Sequence, residues 1–181
     1  MLTEDAAMAT NVSSLFYASV LAAASTVAVW FQTSTSSAAT EIASHILVDK
    51  SDRRLSLMQG QTILATFPIA LGGAPEGHKS EEGDQRTPEG RYRIDWRNDK
   101  SAYHLSLHIS YPDAADIARA EASGKNPGGM IMIHGQRNYL GWLAYLTQRF
   151  DWTDGCIAVT NADMDIIWNS VPDGTPIEIT P

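Results

Sequence analysis

The stretch DWTDGCIAVT, Asp151 to Thr160, decides how the chain is read, because it holds the one cysteine of the sequence, Cys156, between a glycine and a short apolar run. CIAV has the length and apolarity of a buried strand, and Gly155 supplies the backbone freedom for a sharp turn into it. A thiol at neutral pH is mostly protonated, so a reactive Cys156 needs a base to take its proton and donors for the oxyanion that forms after attack. Upstream, MIMIH reads as another buried strand ending at His134, with Gly135 next. The Gly135 carbonyl, unobstructed by a side chain, can hold the imidazole in one tautomer, and the N–H groups of Gly155 and Cys156 can converge on an oxyanion. Alone, such a histidine is more often a satisfied structural group and such a cysteine a small hydrophobe. Together, each beside a glycine, they form a cysteine, histidine and carbonyl arrangement.

Working outward, the chain from His45 onward alternates in short runs bounded by turn residues, the pattern of a mainly β domain. HILVDK, RLSLMQ and TILATFPIAL predict a meander of three strands. Residues 72–88 have no periodicity, and a loop of that length is either a solvated excursion or functional. Thr87-Pro88-Glu89-Gly90 closes it as a type I turn and launches RYRIDW. HLSLHIS predicts a strand with His104, Ser106 and His108 on one face. Asp113 caps a helix that Gly124 ends, LGWLAYLTQRF predicts a second helix with Leu143, Leu146 and Phe150 on one side, and Thr160 opens a third before the strand PIEIT. Trp142 and Tyr145, as aromatic helix residues, are expected in the core, with a cleft wall as the alternative.

The formal net charge is −8, with 21 acidic against 13 basic residues. That balance argues against a nucleic-acid or anionic-membrane surface. Residues 6–40 carry no charged side chain, and within them Leu15 to Phe31 is mostly apolar, followed by small residues at Ser37-Ala38-Ala39. Residues 1–40 are therefore expected to be a signal peptide or membrane anchor, although Glu4 and Asp5 stand where a basic start is usual. The domain is expected over 41–181, exported to the periplasm or cell envelope. In an oxidising compartment a lone cysteine has no disulfide partner, so Cys156 is either buried and inert or kept free to react.

Ile133-His134-Gly135, followed 22 residues after the histidine by the cysteine of TDGCIAV, resembles the signature of YkuD-type L,D-transpeptidase catalytic domains, usually HG, a spacer, then S/T-H-G-C and an arginine two places on. The resemblance covers His45 to Thr180. It implies a β-sandwich with a few short helices that acts on peptidoglycan stem peptides without a cofactor or metal. It further implies that the cysteine attacks the amide between an L and a D centre of a tetrapeptide stem, releases D-alanine, and passes the acyl group to a side-chain amine. By position, Cys156 is the nucleophile, His134 the general base, Gly135 the orienting carbonyl, and Gly155 an oxyanion donor along with Cys156. The chain departs from the pattern twice: Asp154 stands where histidine is usual and Ala158 where arginine is usual. Asp154 is expected to point away from the oxyanion, shaping the loop through an Asx-type bond, and a substrate carboxylate would need another partner such as Arg86, Arg137 or Arg149. His108 and Asp154 are further candidates for contacting the substrate. These departures motivate a hydrolase on the same fold, a peptidoglycan L,D-carboxypeptidase or amidase, as the alternative, with a non-catalytic wall-binding module behind it. A zinc site of His104, His108, His134 and Cys156 is weakly supported, because no HExxH or CxxC spacing is present.

Overall fold

A computed structural model of the chain describes residues 41–181. The expected N-terminal signal or anchor, residues 1–40, lies outside the described residues. Among the described residues, no helix is long and apolar enough to cross a membrane.

Eight strands, β1 (His45–Asp49), β2 (Arg54–Gln59), β3 (Thr62–Pro68), β4 (Gly90–Asn98), β5 (Ser106–Ile109), β6 (Met132–His134), β7 (Ile157–Ala158) and β8 (Pro176–Thr180), form one sheet in the order β3-β2-β1-β8-β4-β5-β6-β7. The first three strands pair antiparallel as the predicted meander, while β1 runs parallel to β8. β4 joins the two halves. Its first residues, Gly90 to Arg93, pair with β8, and its later ones, from Ile94, pair with β5 across an irregularity between Ile94 and Trp96. Such a bulge bends a strand and raises its twist. Ile46, Leu57, Ile94, Leu107, Ile133, Ile157 and Ile179, from both halves, share one buried cluster. The fold is mainly β, a curled sheet with a few short helices, in agreement with the mainly β pattern of the sequence and with the architecture that the resemblance implies.

The helices follow their caps. α1 (Ala114–Ala122) opens with a capping box in which the Asp113 side chain accepts from the N–H of Ala115 and Asp116 while Asp116 reaches back to the Asp113 N–H. α3 (Asn161–Ser170) opens on Thr160, whose hydroxyl accepts from the Asp163 N–H, and buries Met164 and Ile167. The second predicted helix is largely absent: Gly141–Leu143 is a single 3-10 turn and α2 covers only Ala144–Thr147. Trp142, Tyr145 and Phe150, expected to pack inward, are 71%, 69% and 63% exposed. Apolar spacing alone cannot nucleate a helix, and this segment has neither side-chain cap nor a face of the sheet to cover.

Residues 72–88, by contrast, are tied down by two buried lysines. Lys50 donates to the carbonyls of Gly77 and Thr87 and to Glu89 at 2.7, 3.2 and 2.7 Å. Lys79 donates to Asp84 at 2.8 Å, and Asp84 also accepts from the N–H groups of Ser80, Glu81 and Arg86. Burial alone would raise the Asp84 carboxyl pKa; Lys79 and the three N–H donors outweigh it and bring it down to about 2. The base of the loop is stitched to the opening stretch through a bridge between Gly72 and Thr153. A side chain at Gly72 would place its Cβ 2.0 Å from the Gln85 carbonyl oxygen, so only glycine fits there.

Candidate active site

Strand pairing brings the candidate base and the candidate nucleophile together. β6 and β7 run parallel with His134 opposite Ala158, so His134 and Cys156 sit on the same face of the sheet two residues apart in register. Both line a cavity of about 340 Å³ at the end of these strands. The His134 Nδ1–H donates to the Gly135 carbonyl at 2.6 Å. That bond leaves the basic lone pair of the imidazole on Nε2, the tautomer a general base requires. The imidazole lies between Tyr103 and Trp152, with ring centroids 4.8 and 5.8 Å away. Burial lowers the His134 pKa, partly offset by the bond to Gly135.

Cys156 is half-buried, with Sγ 3.6 Å from the Met130 carbonyl oxygen. Its thiol pKa is raised, mainly by burial; the Met132 N–H and Lys79 work against the rise and the Asp154 carboxylate adds to it. The resting pair is therefore a neutral thiol beside a neutral imidazole, and the proton must move as attack occurs.

The turn before Cys156 is built by Thr153 rather than by Asp154. The Thr153 hydroxyl donates to the Cys156 carbonyl at 2.7 Å and accepts from the Gly155 N–H at 3.1 Å. The expected Asx-type bond is thus replaced by a threonine turn, whose trace in the sequence is a Thr two places before a Gly. The same bond occupies the Gly155 N–H that the sequence reading offered to the oxyanion. Gly155 itself has φ +114°, and a Cβ there would lie 2.5 Å from the Arg86 carbonyl oxygen, so glycine is needed for both conformation and space. At Gly135 a Cβ would meet Asn161 Oδ1 at 2.7 Å: the glycine also makes room for the start of α3.

Asp151 anchors the whole stretch by accepting from Arg53 Nη2 at 2.7 Å and from the Leu71 N–H at 2.8 Å. Asp154 is exposed, lines the cavity, and accepts a long 3.4 Å bond from Gln85 Nε2. Arg86 approaches through its main chain, and Arg137 is exposed; neither side chain, nor that of Arg149, lines the cavity. His108 shares the face of Ser106 but stacks on Trp96 at 4.7 Å and bonds Asp95 at 2.6 Å, outside the cavity lining. His104 has φ +65° and pairs with Asp165 at 2.7 Å rather than continuing β5. The four candidate zinc residues are thus not assembled, and among the described residues no cluster of three or more His, Cys, Asp or Glu could hold a metal ion. Tyr103 and Trp152, which flank the His134 ring, have little trace in the sequence; Trp152 lies within Asp151 to Thr160, and Tyr103 carries no local signal.

Residues 43–179 match the model of the L,D-transpeptidase catalytic domain, YkuD. The chain belongs to that family. Among curated relatives of this YkuD domain, a protein of Escherichia coli (strain K12), provisionally named L,D-transpeptidase YafK, is 28% identical over 113 residues, covering 59% of this chain and 44% of the relative. Among solved structures, the helical cell shape determining protein Pgp2 from Campylobacter jejuni aligns with a TM-score of 0.57 at 24% identity, covering 74% of this chain and 46% of that one. The L,D-transpeptidase from Xylanimonas cellulosilytica aligns with a TM-score of 0.50 at 15% identity, covering 77% and 61%. At those identities the structural matches speak to the fold, and the chain spans less than half the length of its curated relative. Within the family's pattern, Ala158 is fully buried beside His134 in the β6–β7 register, so no side chain reaches from that position to a substrate carboxylate.

Proposed function

We propose that this domain is a cysteine L,D-transpeptidase acting on peptidoglycan stem peptides in the cell envelope. The observation that carries it is the His134 tautomer, set by the 2.6 Å bond to Gly135, on an imidazole that shares a cavity with the only cysteine. Cys156 Sγ attacks the stem carbonyl as its proton passes to His134 Nε2, giving a tetrahedral oxyanion. We assign the oxyanion to the Cys156 N–H, since the Gly155 N–H is engaged by Thr153. His134 then returns the proton to the leaving D-alanine, the thioester forms, and an amine takes the acyl group.

Incubation with a disaccharide-tetrapeptide is expected to give a Cys156-linked adduct by mass spectrometry and cross-linked dimer, both lost in Cys156→Ala. Because the thiol is not ionised at rest, iodoacetamide should modify Cys156 slowly at pH 7 and faster as the pH rises; rapid alkylation at pH 7 would contradict the neutral pair.

Hydrolysis on the same scaffold is the second reading, favoured by a cavity whose lining holds no Lys or Arg to grip a substrate carboxylate. Tripeptide without dimer would select it. The expected N-terminal attachment to a membrane rests on the apolar run at Leu15 to Phe31 alone.

A further inference from the structure

We propose that Asp154 binds the ammonium of the acyl acceptor, and that this acceptor is an alkylammonium of the lysine side-chain kind, with no carboxylate on the carbon bearing the amine. This rests on the acyl-transfer reading above and specifies its second substrate. Among the residues lining the cavity, Asp154 alone carries a formal charge when His134 is neutral. It lies two residues before Cys156, on the same turn and in the same cavity lining, and its carboxylate adds to the rise in the thiol pKa that burial mainly causes.

Its hydrogen-bonding capacity sets it apart from the other carboxylates nearby. Asp84 accepts from a lysine and three N–H groups, and Asp151 from a guanidinium and an N–H. Among the described residues, Asp154 has a single partner, the amide of Gln85 at 3.4 Å. An ionised carboxylate offers about four lone-pair sites, so Asp154 has acceptor sites to spare beside the position where the thioester forms.

The charge pattern also says which amine fits. Ala158 presents only a buried methyl where a guanidinium is usual, and Arg86, Arg137 and Arg149 lie outside the lining. An amine that carries a carboxylate on its own carbon would meet an anion and no cation. A lysine-type ammonium meets the anion alone. Binding it also cancels the negative field that Asp154 would otherwise direct at the oxyanion of the second tetrahedral intermediate.

The chemistry balances. The bound ammonium loses one proton to solvent, and the nitrogen lone pair forms the C–N bond to the acyl carbon. The C–S bond then breaks, and the second nitrogen proton reaches Sγ through His134, leaving an amide and a free thiol.

The test preloads Cys156 with the tetrapeptide-derived acyl group and measures its capture by Nα-acetyl-lysine amide, by the zwitterion D-methionine and by methoxyamine, which is neutral at pH 7. The wild type should favour the lysine derivative over D-methionine. In Asp154→Asn, kcat/KM for the lysine derivative should fall about tenfold, the loss of one charge-assisted contact, while methoxyamine capture does not fall and acylation by the donor becomes faster. Asp154→Glu should restore lysine capture in part, which separates charge from loop folding. An equal change for all three amines, or a preference of the wild type for D-methionine, would overturn the assignment. So would an equal slowing of capture by water, which would make the carboxylate a base. If the wild type forms no thioester, the acyl-transfer reading itself falls; if a thioester forms but ignores amine charge, only this inference does.

Discussion

Two long segments, residues 72–88 and 137–150, contrast in a way that composition would invert. Residues 72–88 are rich in charge and glycine and look like a solvated excursion; they are held by Lys50 and Lys79, whose side chains are each 3% exposed. Residues 137–150 are rich in Trp, Tyr, Leu and Phe and look like a core helix; they leave those side chains in solvent. In the first, every carbonyl and carboxylate around the lysines has a partner. In the second, both amide atoms of Gln148 and the indole nitrogen of the adjoining Trp152 are buried with none. Satisfied polar groups, more than apolar content, mark which segment is fixed.

The sharpest way to break the contrast is to remove a lysine. Lys50→Met should cost about 3 kcal/mol or more in urea unfolding, because Glu89 and two carbonyls lose a buried cation. An effect below about 1 kcal/mol would mean the loop holds itself.

Acid should undo the same loop next. The Asp84 pKa is about 2 in the folded chain and near 3.9 when unfolded, so the folded carboxyl binds its proton less tightly than the unfolded one. Its contribution, about 2.5 kcal/mol, is present above pH 4 and lost as the pH falls towards 2. Unfolding curves across that window should differ between the wild type and Asp84→Asn by this slope. His134, whose pKa is lowered, adds a loss in the same direction beginning below its ordinary value of about 6.5.

On the opposite segment the expected signs change. Gln148→Leu should stabilise by about 1 kcal/mol, since it removes two buried polar atoms that lack partners; a loss of that size would show that the amide is satisfied in solution. Trp142→Ser should move the unfolding midpoint least, within about 0.5 kcal/mol, because the side chain is already 71% exposed.

Much of the fold was legible because strand alternation and caps are local. The three-strand meander, Asp113, Thr160 and the run PIEIT all declare themselves within a few residues. That His134 and Cys156 would share a cavity was legible for another reason, the glycine beside each residue. What could not be read are facts of pairing at a distance. That Lys50 would reach Thr87, that Tyr103 would flank His134, and that Thr153 rather than Asp154 would shape the turn all depend on neighbours far along the chain or on a choice between adjacent hydroxyl and carboxylate. The helix expected at Leu140 to Phe150 failed because apolar spacing records a possible face but not whether anything lies opposite it.

The position of β8 has a consequence for how the molecule is made. Ile177 aligns with Ile46 on one side and with Tyr92 on the other, so the five residues Pro176–Thr180 join the hairpin half to the half that carries the cysteine. A chain emerging in order has synthesised His134 and Cys156 before it has the strand that closes the sheet. Pairing partners so far apart in sequence make closure slow. Every residue that lines the cavity of Cys156, from Ser101 to Cys156 itself, lies before that strand, so the cavity wall is synthesised whole while closure of the sheet waits on the last few residues.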